Sequence, residues 1–204
     1  MIHIIDYGLG NLQAFLNVYK RLDIPAVRAK NADELKDATH LILPGVGAFD
    51  TAMDLFSESG MRGPVDEMVR SGNVAVIGVC VGMQMMAEKS EEGVRDGLGW
   101  IKGTVRSFRN NEQSASLPMP HMGWNDVTPM AGSPLFKGME DDARFYFLHS
   151  FYFHCADKAD CIAHADYGFK FDCSVGNGRV FGAQFHPEKS HHWGQQLLKN
   201  FAEI

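Results

Sequence analysis

Several features that mark specialised classes of protein are missing from this 204-residue sequence. Its 19 Lys and Arg residues form no dense basic run and are outnumbered by 25 Asp and Glu residues, so neither a nucleic acid nor a membrane surface is an expected partner. The longest apolar stretch, residues 74–81, is far shorter than the roughly 20 residues that span a bilayer. Residues 1–6 lack the basic head and long apolar core of a secretory signal, so we expect a cytoplasmic protein.

Paired cysteines are missing as well. None of the four cysteines belongs to a Cys-x-x-Cys motif, so neither a zinc knuckle nor a thioredoxin-type redox site is indicated. We expect the thiols to be free, because a cytosolic chain keeps its cysteines reduced. The chain also has no internal repeat, low-complexity tract or linker, and we therefore interpret residues 1–204 as a single domain.

The first half of the chain alternates short apolar runs with helical patterns. Strands are predicted at residues 2–5, 25–27, 40–44 and 74–79, and helices after Asn11 and around residues 50–57 and 62–71. This alternation is typical of βαβ units, in which helices cover both faces of a mostly parallel sheet.

The second half of the chain favours antiparallel strands. Extended segments are predicted at residues 100–108, 144–153, 161–164, 171–175 and 179–185, with a final helix at about residues 190–202. Between the last two strands, Gly176-Asn177-Gly178 indicates a hairpin, because Asn and Gly tolerate the positive φ of tight turns. The fold class is therefore α/β, with a central, mostly parallel sheet and an added antiparallel portion.

The strongest chemical signal is Gly78-Val79-Cys80-Val81-Gly82, which directly follows the most apolar strand and precedes a helical pattern. A nucleophile at a cramped strand-to-helix corner needs small neighbours two residues away on each side, which is the basis of the G-x-S-x-G elbow. The following helix N-terminus favours a thiolate and offers backbone N–H groups to an oxyanion. We interpret Cys80 as a candidate nucleophile; the alternative is a buried cysteine in a glycine-rich turn.

A cysteine nucleophile needs a base with an orienting partner, and His186 and Glu188 are the candidates. In an extended segment, residues i and i+2 point the same way, so the two side chains can face one spot. Near the end of another strand, Gly45 and Gly47 leave backbone N–H groups accessible to a ligand. Gln84 lies one helical turn beyond Cys80 and can contact a polar substrate.

The residues 78–84 (GVCVGMQ) and 185–188 (FHPE) together resemble the class I, triad-type glutamine amidotransferases. Four further segments resemble the glutaminase subunit of imidazole glycerol phosphate synthase: residues 6–12 (DYGLGNL), 44–49 (PGVGAF), 120–125 (PHMGWN) and 146–150 (YFLHS). The resemblance extends from residue 6 to residue 201. It implies the flavodoxin-like fold of the class I amidotransferases and an enzyme without a cofactor or metal.

The resemblance also implies a mechanism. The thiolate of Cys80 would attack the side-chain amide of glutamine, while His186 transfers protons and Glu188 orients His186. Backbone N–H groups of Val81 and of Val46 or Gly47 would form the oxyanion hole. The residues implied to hold glutamine are Gln84, His149, Ser150 and Phe151.

The family passes its ammonia to a (β/α)₈-barrel synthase, which forms imidazole glycerol phosphate and an aminoimidazole carboxamide ribotide in histidine biosynthesis. The expected partners are thus L-glutamine and this barrel, joined to the chain in a heterodimer. The residues implied to contact the barrel are Pro120, Trp124, Tyr146 and Lys189.

Three alternatives stay open at this stage. The same motif would serve a free-standing γ-glutamyl hydrolase, and an inert α/β binding module would use Cys80 only structurally. The bulky residues His191-His192-Trp193 resemble a second, paralogous amidotransferase associated with surface-polysaccharide synthesis. These adjacent histidines are not expected to bind a metal, because neighbours on a helix diverge by about 100°.

Overall fold

The computed structural model describes residues 1–204, and thirteen strands and five helices make up its regular structure. The strands are β1 (Ile2–Ile5), β2 (Ala26–Ala29), β3 (His40–Gly45), β4 (Ala75–Cys80), β5 (Lys89–Ser90), β6 (Gly103–Ser107), β7 (His121–Asp126), β8 (Thr128–Pro129), β9 (Arg144–His149), β10 (Phe151–Cys155), β11 (Cys161–Asp166), β12 (Lys170–Asn177) and β13 (Val180–Ala183). The helices are α1 (Leu12–Arg21), α2 (Phe49–Glu58), α3 (Arg62–Ser71), α4 (Val81–Met85) and α5 (His191–Ala202). None of them is long and apolar enough to cross a bilayer.

The parallel half of the main sheet has the strand order β2-β1-β3-β4-β13, and all of its pairs are parallel. Every residue of β1 and β4 is buried, as continuous apolar runs require when both faces of a sheet are covered. The predicted strands of the first half are confirmed, each within a residue or two. In the pairing of β3 with β4, Gly45 lies opposite Cys80, so the ends of these strands meet at one point.

The antiparallel half continues the same sheet as β13-β12-β10-β6, and β11 pairs with β12 on the side. The predicted hairpin joins β12 to β13, and Gly178 alone takes a positive φ there, of 58°. Two further strands, β7 and β9, form a separate antiparallel sheet in which Trp124 is paired with Tyr146 and Met122 with Leu148.

The helices pack in two groups, α1 with α5 and α2 with α3 and α4. The helix predicted after Asn11 is confirmed, and the Asn11 side chain accepts a hydrogen bond from the backbone N–H of Ala14, which caps it. The buried Tyr19 of α1 donates its hydroxyl proton to the carbonyl of Leu198, which ties this helix to α5. The final helix is confirmed as well and buries Leu198 and Phe201 on its inner face, together with Leu197.

Three local predictions are wrong. The extended segment predicted at residues 144–153 is divided at Ser150 into β9 and β10, because β9 pairs with β7 whereas β10 pairs with strands of the main sheet. Residues 100–108 are extended only over β6: residues 100–102 lie outside the strand, and a 3-10 turn capped by Ser107 starts at Phe108. Residues 186–188 do not form one extended segment, since Pro187–Lys189 is a 3-10 turn, whose first position suits the fixed φ of proline. In addition, β7 is not predicted from the sequence, because its inner positions carry the polar or small residues His121, Gly123 and Asn125, whereas the apolar Met122 and Trp124 face outward.

Candidate active site

Cys80 is the last residue of β4 and the residue immediately before α4. Its backbone has φ 55° and ψ −114°, a conformation that non-glycine residues adopt rarely and at an energetic cost. A Cβ atom on Gly78 would lie 2.5 Å from the carbonyl oxygen of Gly82, and one on Gly82 would lie 1.9 Å from that of Leu43. The strained elbow and the need for glycine on both sides of Cys80 therefore agree with the sequence prediction.

The sulfur of Cys80 is nearly buried and has polar neighbours from distant parts of the chain. Its Sγ lies 3.8 Å from the carbonyl oxygen of Leu148, at the end of the second sheet, and the side-chain amide of Gln184 donates to it at 3.8 Å. Gln184 in turn accepts a hydrogen bond of 3.1 Å from the side-chain amide of Gln84. The sulfur is thus held in one place at the end of the parallel strands.

His186 lies next to Cys80, close enough for the sulfur to raise the pKa of its ring, and next to Glu188 on its other side. The Nδ1 atom of His186 is 2.8 Å from Oε1 of Glu188, and the two side chains are only 4% and 3% exposed. The structure therefore brings the three predicted catalytic residues together. The second carboxylate oxygen of Glu188, Oε2, has no hydrogen-bond partner. No other donor therefore competes with His186 for the negative charge of this buried carboxylate.

The backbone around His186 is fixed by the neighbouring β9 and by Ser190. The N–H of His186 donates to the carbonyl of Tyr146 at 2.9 Å, and the hydroxyl of Ser190 donates to the carbonyl of His186 at 2.6 Å. The same hydroxyl accepts from the N–H of Tyr146. Below this turn, the fully buried rings of Phe145 and Phe185 stack with centroids 4.0 Å apart. The turn thus replaces the predicted extended segment without losing the orientation of the imidazole.

The pKa of His186 is raised to about 9. Burial alone would lower it, but the hydrogen bond to Cys80, the hydrogen bond to Glu188 and the negative charges of both groups outweigh the burial. The imidazolium form is therefore favoured at neutral pH. A cationic imidazole beside a sulfur atom favours a thiolate–imidazolium pair, which is the reactive form of a cysteine nucleophile.

An open cleft of about 290 Å³ lies over Cys80 and His186. Its thirteen lining residues are Val46, Gly47, Cys80, Val81, Gln84, Glu92, Pro120, Leu148, His149, Ser150, Phe151, His186 and Lys189. All of the predicted oxyanion-hole and glutamine-binding residues are among them. Gly47, two residues after the end of β3, has φ 90°, a backbone conformation that only glycine adopts freely. The turn that follows β3 therefore requires glycine at this position.

The comparison with protein families agrees with this geometry. A family model described as glutamine amidotransferase class-I matches residues 2–204. The chain belongs to the class-I glutamine amidotransferase family. The fold class predicted from the sequence is thereby confirmed.

Curated relatives of the amidotransferase match it along its full length. The imidazole glycerol phosphate synthase subunits HisH of Bdellovibrio bacteriovorus and Leptospira interrogans are 59% and 50% identical over 204 residues, and the matches cover all of this chain and of theirs. A protein named subunit HisH 2 of Pseudomonas aeruginosa is 44% identical over 205 residues, again with full coverage of both chains.

Solved structures share the fold of the amidotransferase at low sequence identity. A crystal structure described as a glutamine amidotransferase is 21% identical with a TM-score of 0.77, and the match covers 99% of this chain and 97% of the other. The structure of PurLQS from Thermotoga maritima is 17% identical with a TM-score of 0.75 and the same coverage.

Sequence reasoning missed three residues around the cleft of the amidotransferase. Glu92 lines the cleft and accepts a hydrogen bond from the N–H of Phe49; its half-buried position raises the pKa of its carboxyl. Gln184 touches the sulfur, and the carbonyl of Leu148 faces it. None of them has a local signal, because each acquires its position through pairing of distant strands or loops.

The four predicted interface residues of the amidotransferase lie at or near the mouth of the cleft. Pro120 and Lys189 are exposed and line it. Trp124 is 38% exposed, lies beside Tyr146 on the second sheet, and stacks on the ring of His191 with an interplanar angle of 7°. These positions form a surface that extends from the cleft to the start of α5.

Outside the cleft, the amidotransferase has one cluster of potential metal ligands, Cys161, His164 and Asp172. The Nδ1 atom of His164 lies 3.3 Å from the sulfur and 3.4 Å from the carboxylate. The carboxylate of Asp172 also accepts the N–H of Cys155, and the ammonium of Lys158 lies 3.6 Å from it. Its negative charge is thus balanced by groups of the chain itself.

Proposed function

We propose that this amidotransferase is the glutaminase subunit of an imidazole glycerol phosphate synthase. It hydrolyses glutamine to glutamate and ammonia and supplies the ammonia to a cyclase subunit with a (β/α)₈ barrel, in the histidine biosynthesis of the cytoplasm. The observation that carries the proposal is the line from Cys80 through His186 to Glu188 at the base of a cleft, in a chain 59% identical over its full length to a HisH subunit.

The reaction starts with the thiolate of Cys80, which attacks the side-chain amide carbon of glutamine. The carbon–nitrogen bond then breaks, and His186 donates its proton to the departing nitrogen, so ammonia and a γ-glutamyl thioester result. A water molecule, deprotonated by the now neutral His186, hydrolyses the thioester to glutamate and returns the thiol. Glu188 stabilises the imidazolium and keeps its ring directed at the sulfur, which the distance of 2.8 Å supports.

The oxyanion of each tetrahedral intermediate is held by two backbone N–H groups. The first belongs to Val81, the first residue of α4, where the N–H has no partner within the helix. The second comes from Val46 or Gly47, which the pairing of Gly45 with Cys80 brings to the same end of the sheet. In such a site, the loss of one donor costs on the order of 10² to 10³ in rate.

Glutamine lies along the wall formed by His149, Ser150 and Phe151, opposite Gln84. Both hydrogens of the Gln84 amide nitrogen are already donated, to the carbonyl of Phe151 and to Gln184, so its Oε1 atom is the group that accepts from the substrate. Glu92 is the only carboxylate that lines the cleft. We therefore assign to it the binding of the positively charged α-ammonium group of glutamine.

The cyclase docks over the mouth of the cleft, where Pro120, Trp124, Tyr146 and Lys189 contact it. Exposed apolar side chains surround this mouth and support a protein partner there: Val46, Met122, Trp124 and Leu148. A partner seated on this rim receives ammonia before water can protonate and dilute it. A free-standing γ-glutamyl hydrolase would have no use for such a rim.

Cys80→Ala tests the proposal. Glutamate release by the chain in complex with its cyclase should fall to background, because no other thiol reaches the cleft, while binding to the cyclase stays intact. The matched control is Cys155→Ala, a buried cysteine outside the cleft whose thiol pKa is raised by burial, and this variant should keep its activity. Glutaminase activity in Cys80→Ala would refute the assignment. The product formed from glutamine by the complex distinguishes histidine synthesis from the paralogous route suggested by His191-His192-Trp193.

A further inference from the structure

Two buried histidines, His121 of β7 and His149 of β9, have no assigned chemical step, although His149 belongs to the glutamine wall and His121 lies directly behind it. They are cross-strand partners in the second sheet, and each is at most 6% exposed. The Nδ1 atom of His121 lies 2.9 Å from the Nε2 atom of His149. Burial lowers the pKa of His121 to about 4 and that of His149 to about 3, so both rings are neutral at physiological pH.

The carbonyl of Phe151, which lines the cleft, determines which ring nitrogens of the two histidines donate and which accept. The Nδ1 atom of His149 lies 2.7 Å from the carbonyl oxygen of Phe151, which can only accept, so the proton of His149 is on Nδ1. Its Nε2 atom must then accept, and the proton of His121 must also be on Nδ1. The remaining Nε2 atom of His121 is left as an acceptor.

The opposite end of the pair requires the same arrangement. Nδ2 of Asn125 lies 3.2 Å from Nε2 of His121 and donates its other hydrogen to the carbonyl of Asp166. The orientation of the Asn125 amide is set by its Oδ1 atom, which accepts from the N–H of Asp126. Because backbone groups impose one direction at both ends, the chain of donors from Asn125 to the Phe151 carbonyl is complete and has a single arrangement.

Stacking fixes the plane of the His121 ring. The ring lies between Tyr167 and Phe147, with centroids 4.2 Å and 4.9 Å away and interplanar angles of 24° and 26°. A phenylalanine keeps an aromatic ring at this position, so stacking by itself does not require a histidine. The donor at Nδ1 and the acceptor at Nε2 are what only a histidine adds.

We propose that His121 is a positioning residue for glutamine: through His149 it holds the carbonyl of Phe151, and so the backbone of residues 150–151 that glutamine lies along. The same carbonyl accepts a second hydrogen bond from Gln84 on the other side of the cleft. With two donors on one oxygen, the wall and Gln84 keep a fixed separation. This inference rests on the proposed glutaminase function, since it concerns how that substrate is bound.

A crossed pair of variants separates positioning from packing. His121→Phe keeps the stacked ring and removes the donor. His121→Asn loses the ring but keeps a donor, because the amide nitrogen of Asn is the same number of bonds from Cα as Nδ1 of His. We expect His121→Phe to raise the KM for glutamine about tenfold with kcat changed less than twofold, and His121→Asn to stay within about threefold of the unaltered chain. A normal KM in His121→Phe, or a larger KM in His121→Asn, would overturn the proposal.

A second measurement does not depend on activity. Nitrogen-15 NMR of the histidine rings in the full chain reports which ring nitrogen carries the proton, and we expect Nδ1 for both His121 and His149. A proton on Nε2 of His149 would contradict the inference even if the variants failed to fold. If the unaltered complex released no glutamate, the proposed function would fail, whereas the ring protonation would still test the hydrogen-bond chain.

Discussion

Replacing Glu188 by Gln removes a charge from the catalytic line with little change in shape. In the structure, the carboxylate lies 2.8 Å from Nδ1 of His186 and is 3% exposed, so solvent does not weaken its attraction. Glutamine can still accept a hydrogen bond from the ring, but it cannot balance a positive imidazolium. The variant therefore isolates the electrostatic part of the interaction.

The magnitude follows from the pKa of His186. Its value of about 9, against 6.5 for a free histidine, corresponds to a preference of about 3 kcal/mol for the imidazolium, which Cys80 and Glu188 share after burial has opposed them. The loss of Glu188 should therefore cost between about 1.5 and 3 kcal/mol, or roughly 10- to 150-fold in the rate of glutamate release. The pKa of His186 should fall toward its ordinary value.

The dependence of stability on pH has a definite sign. Because the folded-state pKa of His186 is raised, its imidazolium contributes stability that is complete below the unfolded-state pKa near 6.5 and is lost as the pH rises through about 9. In Glu188→Gln, this loss of unfolding free energy between pH 6.5 and 9 should be smaller, as denaturant titrations at several pH values can measure.

A surface carboxylate provides the control. Glu203 is 54% exposed and lies 3.9 Å from Lys199, so Glu203→Gln removes a charge of the same kind from a solvated pair and should leave rate and pH profile unchanged. If Glu188→Gln retained the full rate and the same pH profile as the unaltered chain, the electrostatic role of Glu188 would be wrong.

Two further changes test the docking surface and the elbow. Trp124→Ala should weaken binding to the cyclase about 5- to 100-fold in a calorimetric titration, whereas Met130→Ala, which alters a similarly exposed apolar residue that belongs to neither β7 nor β9, should not; equal affinities would argue against this surface. Gly82→Ala should abolish activity and lower the melting temperature, because its Cβ would overlap the carbonyl of Leu43. A tolerated Gly82→Ala would refute the steric argument.

Much of the parallel half could be read from the sequence because its determinants are local. The strands β1 and β4 are continuous apolar runs, and α1 has its cap at Asn11. The elbow around Cys80 is local in part, since a Cβ on Gly78 would meet the backbone of Gly82; only the crowding of Gly82 against Leu43 comes from the neighbouring strand. The identity of the nucleophile candidate therefore needed no tertiary information.

The partners of Cys80 required the tertiary structure to varying degrees. His186 and Glu188 were found from their spacing, yet the geometry that aligns them is a 3-10 turn rather than the predicted extended segment. The turn still directs both side chains to one spot because β9 and Ser190 hold its backbone. Spacing indicated the pair, and packing decided its shape.

The sequence by itself determined the strand and helix order of the first half, the strained elbow and the residue types of the catalytic line, because each depends on neighbours a few positions apart. Only the tertiary structure placed Glu92 at the cleft and Gln184 against the sulfur of Cys80 and joined His121 to His149, since these contacts arise between loops and strands that are separated in the chain. Side-chain periodicity reports which face of a strand is buried, whereas the register between strands decides which buried groups meet.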